Sequence, residues 1–286
     1  MSKPLPSTID RTQFAQIFEP RDANGNKGSF GSTAIVGGAA GMVGAVVLAA
    51  RTALKSGSGR VYAGLAQETT SFSLDIEQPE LMWRTLPRLM DIANQITAGG
   101  VGCGLGDSDA SLHCLRSVFK QRAGKPLVVD ADGLNALARG DVSPTWGQGH
   151  VVLTPHPAEA ARLLNTDTAS VQANRVESAQ TLAKQFGAWI VLKGQHTIVC
   201  SPTGEHQSNP TGNIGLASAG SGDVLTGLTT SLLAQGFEPH IAVPAAVWLH
   251  GAAADDLVAR LGGPVGLTAS ELVNAIRQQR NSVQAK

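Results

Sequence analysis

The stretch Gly220-Ser221-Gly222-Asp223 stands directly before Val224, Leu225, Leu228, Leu232 and Leu233, which are spaced as one face of a helix. Glycine is costly in regular structure, so the cluster marks a backbone that must approach something closely. A glycine-rich turn opening a helix aims free N–H groups and the positive end of a dipole at whatever lies in front, which suits a phosphate. Asp223 does not belong there as a phosphate ligand, because a carboxylate repels a bare anion. It does suit a hydroxyl that must lose its proton while attacking phosphorus. The chemistry predicted is phosphoryl transfer, with the amides of Gly220, Ser221 and Gly222 cradling the migrating group and Asp223 serving the nucleophile.

Other polar groups recur where apolar, strand-like runs end. Asp130 and Asp132 follow LVV, His156 and Glu159 follow VVL, and Lys193 follows WIVL. Ligands of open α/β sheets sit at the carboxyl ends of strands, so the recurrence says more than any single residue. One Asp after a strand is an ordinary turn or cap. Glu159, with Asp132 as helper, is expected to hold a hydrated Mg²⁺. Two other motifs fall short. GGAAGMVG lacks the GxGxxG spacing of a dinucleotide fingerprint, and GSGDVLTG lacks the Gly-Lys-Ser/Thr of a Walker loop. His113, His150, His206 and His240 form no HExxH pair and read as surface or structural residues.

Positioning these groups takes an alternation of strands and helices. Strands are expected at 33–37, 60–66, 98–103, 127–129, 151–153, 189–192 and 198–200. Helices are expected at 43–55, 110–121, 158–164, 170–186, 223–235 and 241–261, with a last one opened by the capping pair Thr268 and Glu271. Short, continuously apolar strands between helices imply an α/β fold, a mostly parallel central sheet covered on both faces. Residues 1–27 read as an irregular arm or short helix, and 28–286 as one domain.

Composition narrows the function classes. The 286 residues carry no net charge, only 15% charged and 4% aromatic side chains, which argues against a nucleic-acid surface, a base-stacking platform or a polybasic membrane anchor. Cys103, Cys114 and Cys200 are odd in number and lack metal-site spacing, so they read as small buried apolar groups of a reducing, cytoplasmic setting. The N-terminal MSKPLPSTIDRTQF has no apolar core and is no signal peptide.

Taken together, KGSFGSTAIVGG, GMVGAVVLAARTALKSGSGRV, GCGLG, LVVDADGLNAL, LTPHPAEAARLL, VLKGQHTIV, TGNIGLASAGSGDVLTGL and AAVWLHGAAAD resemble the ribokinase-like superfamily. Within it they are most similar to the ADP-dependent NAD(P)H-hydrate dehydratases, the carbohydrate-kinase-related domain. The resemblance implies a hydrated-dinucleotide site at Ala45, Gly104 or Gly106, His156 and Asp223. It implies an adenosine-phosphate site at Lys193, Gly194, Gln195, His196, Thr197 and Gly222. It also implies Mg²⁺, ADP as co-substrate, a homotetramer, and a functional link to a separate NAD(P)H-hydrate epimerase, whose domain this chain is not expected to carry. His156 stands where related sugar and vitamin kinases have Asn in an Asn-x-x-Glu motif, with Glu159 in the Glu place. Two positions depart from the family pattern: Gly102-Cys103-Gly104 replaces Gly-Pro-Gly, and Ala158 replaces a Gly at a helix start. Two other readings share the loop: an ATP-dependent kinase of a hydroxymethylpyrimidine or thiazole alcohol, and a non-catalytic nucleotide sensor. His156 favours the dehydratase over the first, and the full set Asp223, Lys193 and Glu159 favours it over the second.

Overall fold

A computed structural model of the protein describes residues 7–67, 73–144, 146 and 150–282. Its strands are β1 (Ser7–Thr8), β2 (Ser32–Gly37), β3 (Arg60–Leu65), β4 (Met82–Thr85), β5 (Ala98–Val101), β6 (Leu127–Val129), β7 (Val151–Leu153), β8 (Trp189–Leu192), β9 (Ile198–Cys200) and β10 (His206–Ser208). They form one sheet in the order β1-β10-β9-β8-β7-β6-β5-β2-β3-β4. From β4 to β8 every pairing is parallel, while β8–β9 and β9–β10 are antiparallel.

The helices are α1 (Val43–Lys55), α2 (Leu86–Met90), α3 (Asp109–Gln121), α4 (Ala131–Arg139), α5 (Pro157–Leu163), α6 (Thr168–Ala173), α7 (Arg175–Phe186), α8 (Ser221–Ala234), α9 (Pro239–Leu261) and α10 (Ala269–Asn281). The period-two alternation of strands sorts side chains between two faces. Val128, Val152 and Val191 pack with buried residues of α8, α9 and α10. Their neighbours Leu127, Val129, Val151, Leu153, Ile190 and Leu192 pack with α3, α4, α5 and α7. The strands are apolar on both sides because both sides are covered.

Two expectations need amending. The helix expected at 170–186 is two, because Asn174 at φ −132°, ψ 49° breaks it between α6 and α7. Helix α4 occupies Ala131–Arg139, where no helix was among those expected. Of the two forms expected for the N-terminal arm, its described part takes the short helix: Asp10 caps a 3₁₀ helix over Arg11–Phe18 that buries Phe14, Ile17 and Phe18. Residues 1–6 of that arm lie outside the described residues. Helix α9 is long and apolar enough to cross a membrane by composition, yet two-thirds of its apolar window is buried inside this fold, so it serves as a core helix.

The chain runs from β2 outward to β3 and β4, then returns to β5 on the other flank of β2. This reversal leaves a crevice above the carboxyl ends of β2 and β5. The loops after those strands are joined across it, Gly38 N donating to Cys103 O at 3.0 Å and Ala39 N to Gly104 O at 2.7 Å. Two arginines close the opposite end of the molecule. Arg280 donates to Ser56 O and to Gln235 Oε1 (2.8 Å), and Arg21 to Gly57 O and Gln235 Oε1 (3.2 Å). Both cations thereby cover the C-terminal ends of α1 and α8, where the dipole favours positive charge.

Candidate active site

The polar groups anticipated from sequence do converge on the carboxyl edge of the sheet. Lys193 follows β8 directly and its Nζ reaches Asp130 Oδ1, at the end of β6, at 2.8 Å. The second oxygen, Asp130 Oδ2, accepts from Thr226 Oγ1 of α8, also at 2.8 Å. Asp130 is only 2% exposed and Thr226 not at all, so one carboxylate ties two strand ends to the glycine-rich helix. A Cβ on Gly222 would lie 3.4 Å from Lys193 Nζ and 3.6 Å from Asp130 Oδ2, which places the ammonium against the first turn of α8.

That turn has the geometry expected of an anion cradle. Gly220 takes φ 89°, a left-handed conformation that suits glycine, and no side chain caps the helix start. The first amides of α8 are only weakly engaged, Ser221 N reaching Ser218 O at 3.4 Å, and can serve a ligand. His250 of α9 is buried with its Nε2 3.0 Å from Ser221 O. A carbonyl can only accept, so Nε2 carries the proton and donates. Burial pushes the pKa of His250 down to about 4, leaving it a neutral prop for this turn at physiological pH.

Asp223 sits in the same first turn, and its pKa is pushed up to about 6. Burial is the main cause; the Cys103 thiol, which donates to the carboxylate, pulls the other way. The charges of Asp130 and Asp132 add to the rise, and Lys193 opposes it. A carboxylate with a proton affinity near neutrality is suited to act as a general base. Burial also drives the Cys103 thiol well above its ordinary pKa, so it is a donor and not a thiolate nucleophile. Burial works to lower the pKa of Lys193, but Asp130 and Glu159 reverse this and hold it charged.

His156 is the N-cap of α5. Its Nδ1 accepts from Ala158 N (3.1 Å) and Glu159 N (3.3 Å), while Glu159 Oε2 accepts from His156 N at 2.7 Å. The acceptor role requires an unprotonated Nδ1, and burial lowers the ring's pKa despite the nearby Glu159. The ring is half exposed, with Nε2 3.4 Å from Glu159 Oε1.

Ala45, Gly104 and Gly106 line the switch-point crevice. Ala45 lies in the first turn of α1, and a Cβ on Gly104 would come within 3.2 Å of the Ala45 Cβ. Gly106 N donates to Asp132 Oδ2 at 2.8 Å. Residues Gly194 to Thr197 form the β8–β9 hairpin loop, exposed at Gly194, Gln195 and His196. Arg175 braces its base by donating to Leu192 O (2.9 Å) and Lys193 O (3.2 Å).

Among the described residues no three metal-binding side chains cluster. Glu159 and Asp132 each have one carboxylate oxygen engaged by a backbone amide, from His156 at 2.7 Å and from Gly106 at 2.8 Å. Sequence reasoning left Asp130 without a role, took Cys103 as packing alone, and passed over Thr226 and His250. Thr226, one turn beyond Gly222, was reachable from helical spacing; His250 was not, because only the packing of α9 on α8 brings it here.

The family model described as NAD(P)H-hydrate dehydratase matches residues 33–278. An ADP-dependent (S)-NAD(P)H-hydrate dehydratase from Neisseria meningitidis is 45% identical over 95% of this chain and 92% of its own length. A solved structure of the ADP/ATP-dependent NAD(P)H-hydrate dehydratase from Bacillus subtilis, co-crystallized with ATP/Mg²⁺, is 30% identical, with a TM-score of 0.83 over 96% of this chain and 97% of its own. A ribokinase-like superfamily protein from Enterococcus faecalis superposes with a TM-score of 0.87 over 98% and 99% of the two chains, at 24% identity. The chain spans about half the length of the bifunctional NAD(P)H-hydrate repair enzymes it also matches.

Proposed function

The chain belongs to the NAD(P)H-hydrate dehydratase family, and from that membership we propose that it dehydrates (6S)-NAD(P)H hydrate to NAD(P)H while ADP becomes AMP and phosphate. The observation that carries the mechanism is Asp223: a base with a pKa near 6 in the first turn of a helix that no side chain caps. Asp223 takes the proton of the ring hydroxyl as its oxygen attacks the β-phosphorus of ADP, and the bond from that phosphorus to AMP breaks. The amides of Gly220, Ser221 and Gly222 and the Lys193 ammonium hold the charge that develops on the transferred group. The ring nitrogen's lone pair then expels phosphate from the ring carbon, the neighbouring carbon gives up a proton, and the double bond re-forms.

The dinucleotide hydrate is placed in the crevice beside Ala45, Gly104, Gly106 and His156. The adenosine phosphate is placed along Lys193, Gly194, Gln195, His196 and Thr197, against Gly222. Mg²⁺ would arrive with the nucleotide and neutralise its phosphates, with Glu159, and Asp132 behind it, accepting from its water shell. Specificity for the S hydrate leaves the R epimer untouched, so a separate epimerase would feed this reaction. We place the enzyme in the cytoplasm as a homotetramer, one domain over residues 28–286.

The test supplies hydrated NADH and Mg²⁺ with ADP, ATP or no nucleotide, and follows the near-ultraviolet absorbance of dihydronicotinamide. Recovery only with nucleotide is expected, best with ADP. Asp223→Asn should lower turnover ~10²–10⁴-fold while still binding nucleotide. Recovery without nucleotide, or near-normal turnover in that variant, would overturn the mechanism.

A further inference from the structure

The mechanism above uses Lys193 and Asp223 but gives no task to the buried carboxylate between them. Asp130 has both oxygens committed, Oδ1 to Lys193 Nζ and Oδ2 to Thr226 Oγ1, each at 2.8 Å. Burying a carboxylate is unfavourable unless it is paired and hydrogen-bonded, and this one is satisfied on both sides. As the N-cap of α4 it makes no side-chain capping bond, so capping does not account for it. It is brought close by Gly102, where a Cβ would fall 1.9 Å from Asp130 O, so the strand-end loop carrying Cys103 packs directly on it. We propose that Asp130 is a positioning residue for the reaction: it aims the Lys193 ammonium across the first turn of α8 and, anchored to α8 by Thr226, fixes the charge that Asp223 faces.

Two consequences of the geometry follow. Lys193 has a second carboxylate within reach, Glu159 Oε2 at 3.8 Å. Without Asp130 the ammonium is free to swing toward Glu159 and away from Gly222, where the nucleotide phosphate is placed. The other consequence is electrostatic. Asp223 is faced by Cys103 from the β5 loop, by Asp130 from the end of β6, by Asp132 from α4, and by Lys193 from the end of β8; His250 of α9, neutral, backs the same turn. Removing the negative charge at 130 makes ionised Asp223 easier to form, so its titration moves to lower pH.

The proposal rests on the dehydratase reading for its catalytic meaning, but two measurements do not depend on turnover. ADP binding by calorimetry with Mg²⁺, and the Asp223 carboxyl titration by ¹³C NMR assigned with Asp223→Asn, are compared in the wild type, Asp130→Asn, Thr226→Val and Thr226→Ser. Asp130→Asn should weaken ADP at least about tenfold, the loss of one charge-assisted contact, and lower the Asp223 midpoint by about one pH unit. Thr226→Val should weaken ADP in the same direction, and Thr226→Ser, which keeps the hydroxyl, should restore it. A folded Asp130→Asn with unchanged ADP affinity and midpoint overturns the proposal. If Asp130→Asn does not fold, Thr226→Val matching Thr226→Ser in ADP affinity overturns it instead. Wild-type protein that binds ADP with these variant effects but never dehydrates the hydrate would sink the proposed function and leave the placement of Lys193 by Asp130 standing.

Discussion

Asp223 is a carboxylate that folding makes easier to protonate, and this has a stability signature separate from catalysis. Its pKa rises from 3.8 to about 6, mainly through burial, so the unfolded chain releases the proton at lower pH than the folded one. Ionising it in the folded state therefore costs stability that begins near pH 4 and is fully present above about pH 6. Asp223→Asn removes that cost. Its unfolding free energy should exceed the wild type's by roughly 1–3 kcal/mol at pH 8 and match it near pH 4, read from urea denaturation at both pH values. A variant less stable than wild type at pH 8 would mean that Asp223 is not held against its charge. The same shift predicts a kcat/KM that climbs with pH through about 6 as the base form appears, an acid limb absent from Asp223→Asn. His156 and Lys193 were legible in the sequence as polar residues just after apolar runs, and Asp223 as an acid between a glycine turn and an apolar helix. Cys103 was not, since full burial makes a thiol look like packing, and its donation to Asp223 depends on two segments far apart in the chain.

The start of α8 separates two kinds of glycine, and the sequence alone does not tell them apart. Gly220 is held at φ 89°, and a Cβ there would lie 2.5 Å from Leu48 Cδ1 of α1. Gly220→Ala should cost at least about 1–2 kcal/mol in denaturant unfolding and lose activity with it, because the cradle must reopen. Gly222 has no left-handed φ, and its Cβ would only brush Lys193 Nζ at 3.4 Å. Gly222→Ala should keep or slightly raise stability, since Ala is the better helix former by about 1 kcal/mol. Its ADP affinity should nevertheless fall, and unchanged affinity would move the nucleotide away from this turn. The parallel strands β5 to β8 were readable from short apolar runs, the signature of coverage on both faces. Strand β4 at one edge and β10 beside the other edge were not: MWRT and HQS carry polar residues and are held by partners, not by propensity. The break at Asn174 was also hidden, because the apolar spacing of α6 and α7 continues across it.

Across the whole molecule, the described part of the arm proves to be part of the core. Phe14 is fully buried, with its ring centroid 5.9 Å from that of Trp248 and 6.2 Å from that of Phe18. Phe14→Ala should destabilise by about 3–5 kcal/mol in urea unfolding without moving the acid limb near pH 6; a shifted limb would mean that the arm reaches the site. The sequence showed the arm as polar because its few apolar residues are diluted among charged and amide side chains, and only α9 gives them a place to go. Architecture and the candidate site's edge were therefore more legible than the contacts that brace them, which join residues tens to hundreds of positions apart. The Arg280 clasp is the extreme case. Its guanidinium, with a pKa lowered to about 10 by burial and by Arg21, grips the end of α1 while α10 lies along that helix. A ribosome making this chain threads out α1 more than two hundred residues before the partner that covers it. The flank of α1 that α10 covers stays open through that interval, so nascent chains stopped short of α10 should be clients of holding chaperones and targets of proteases.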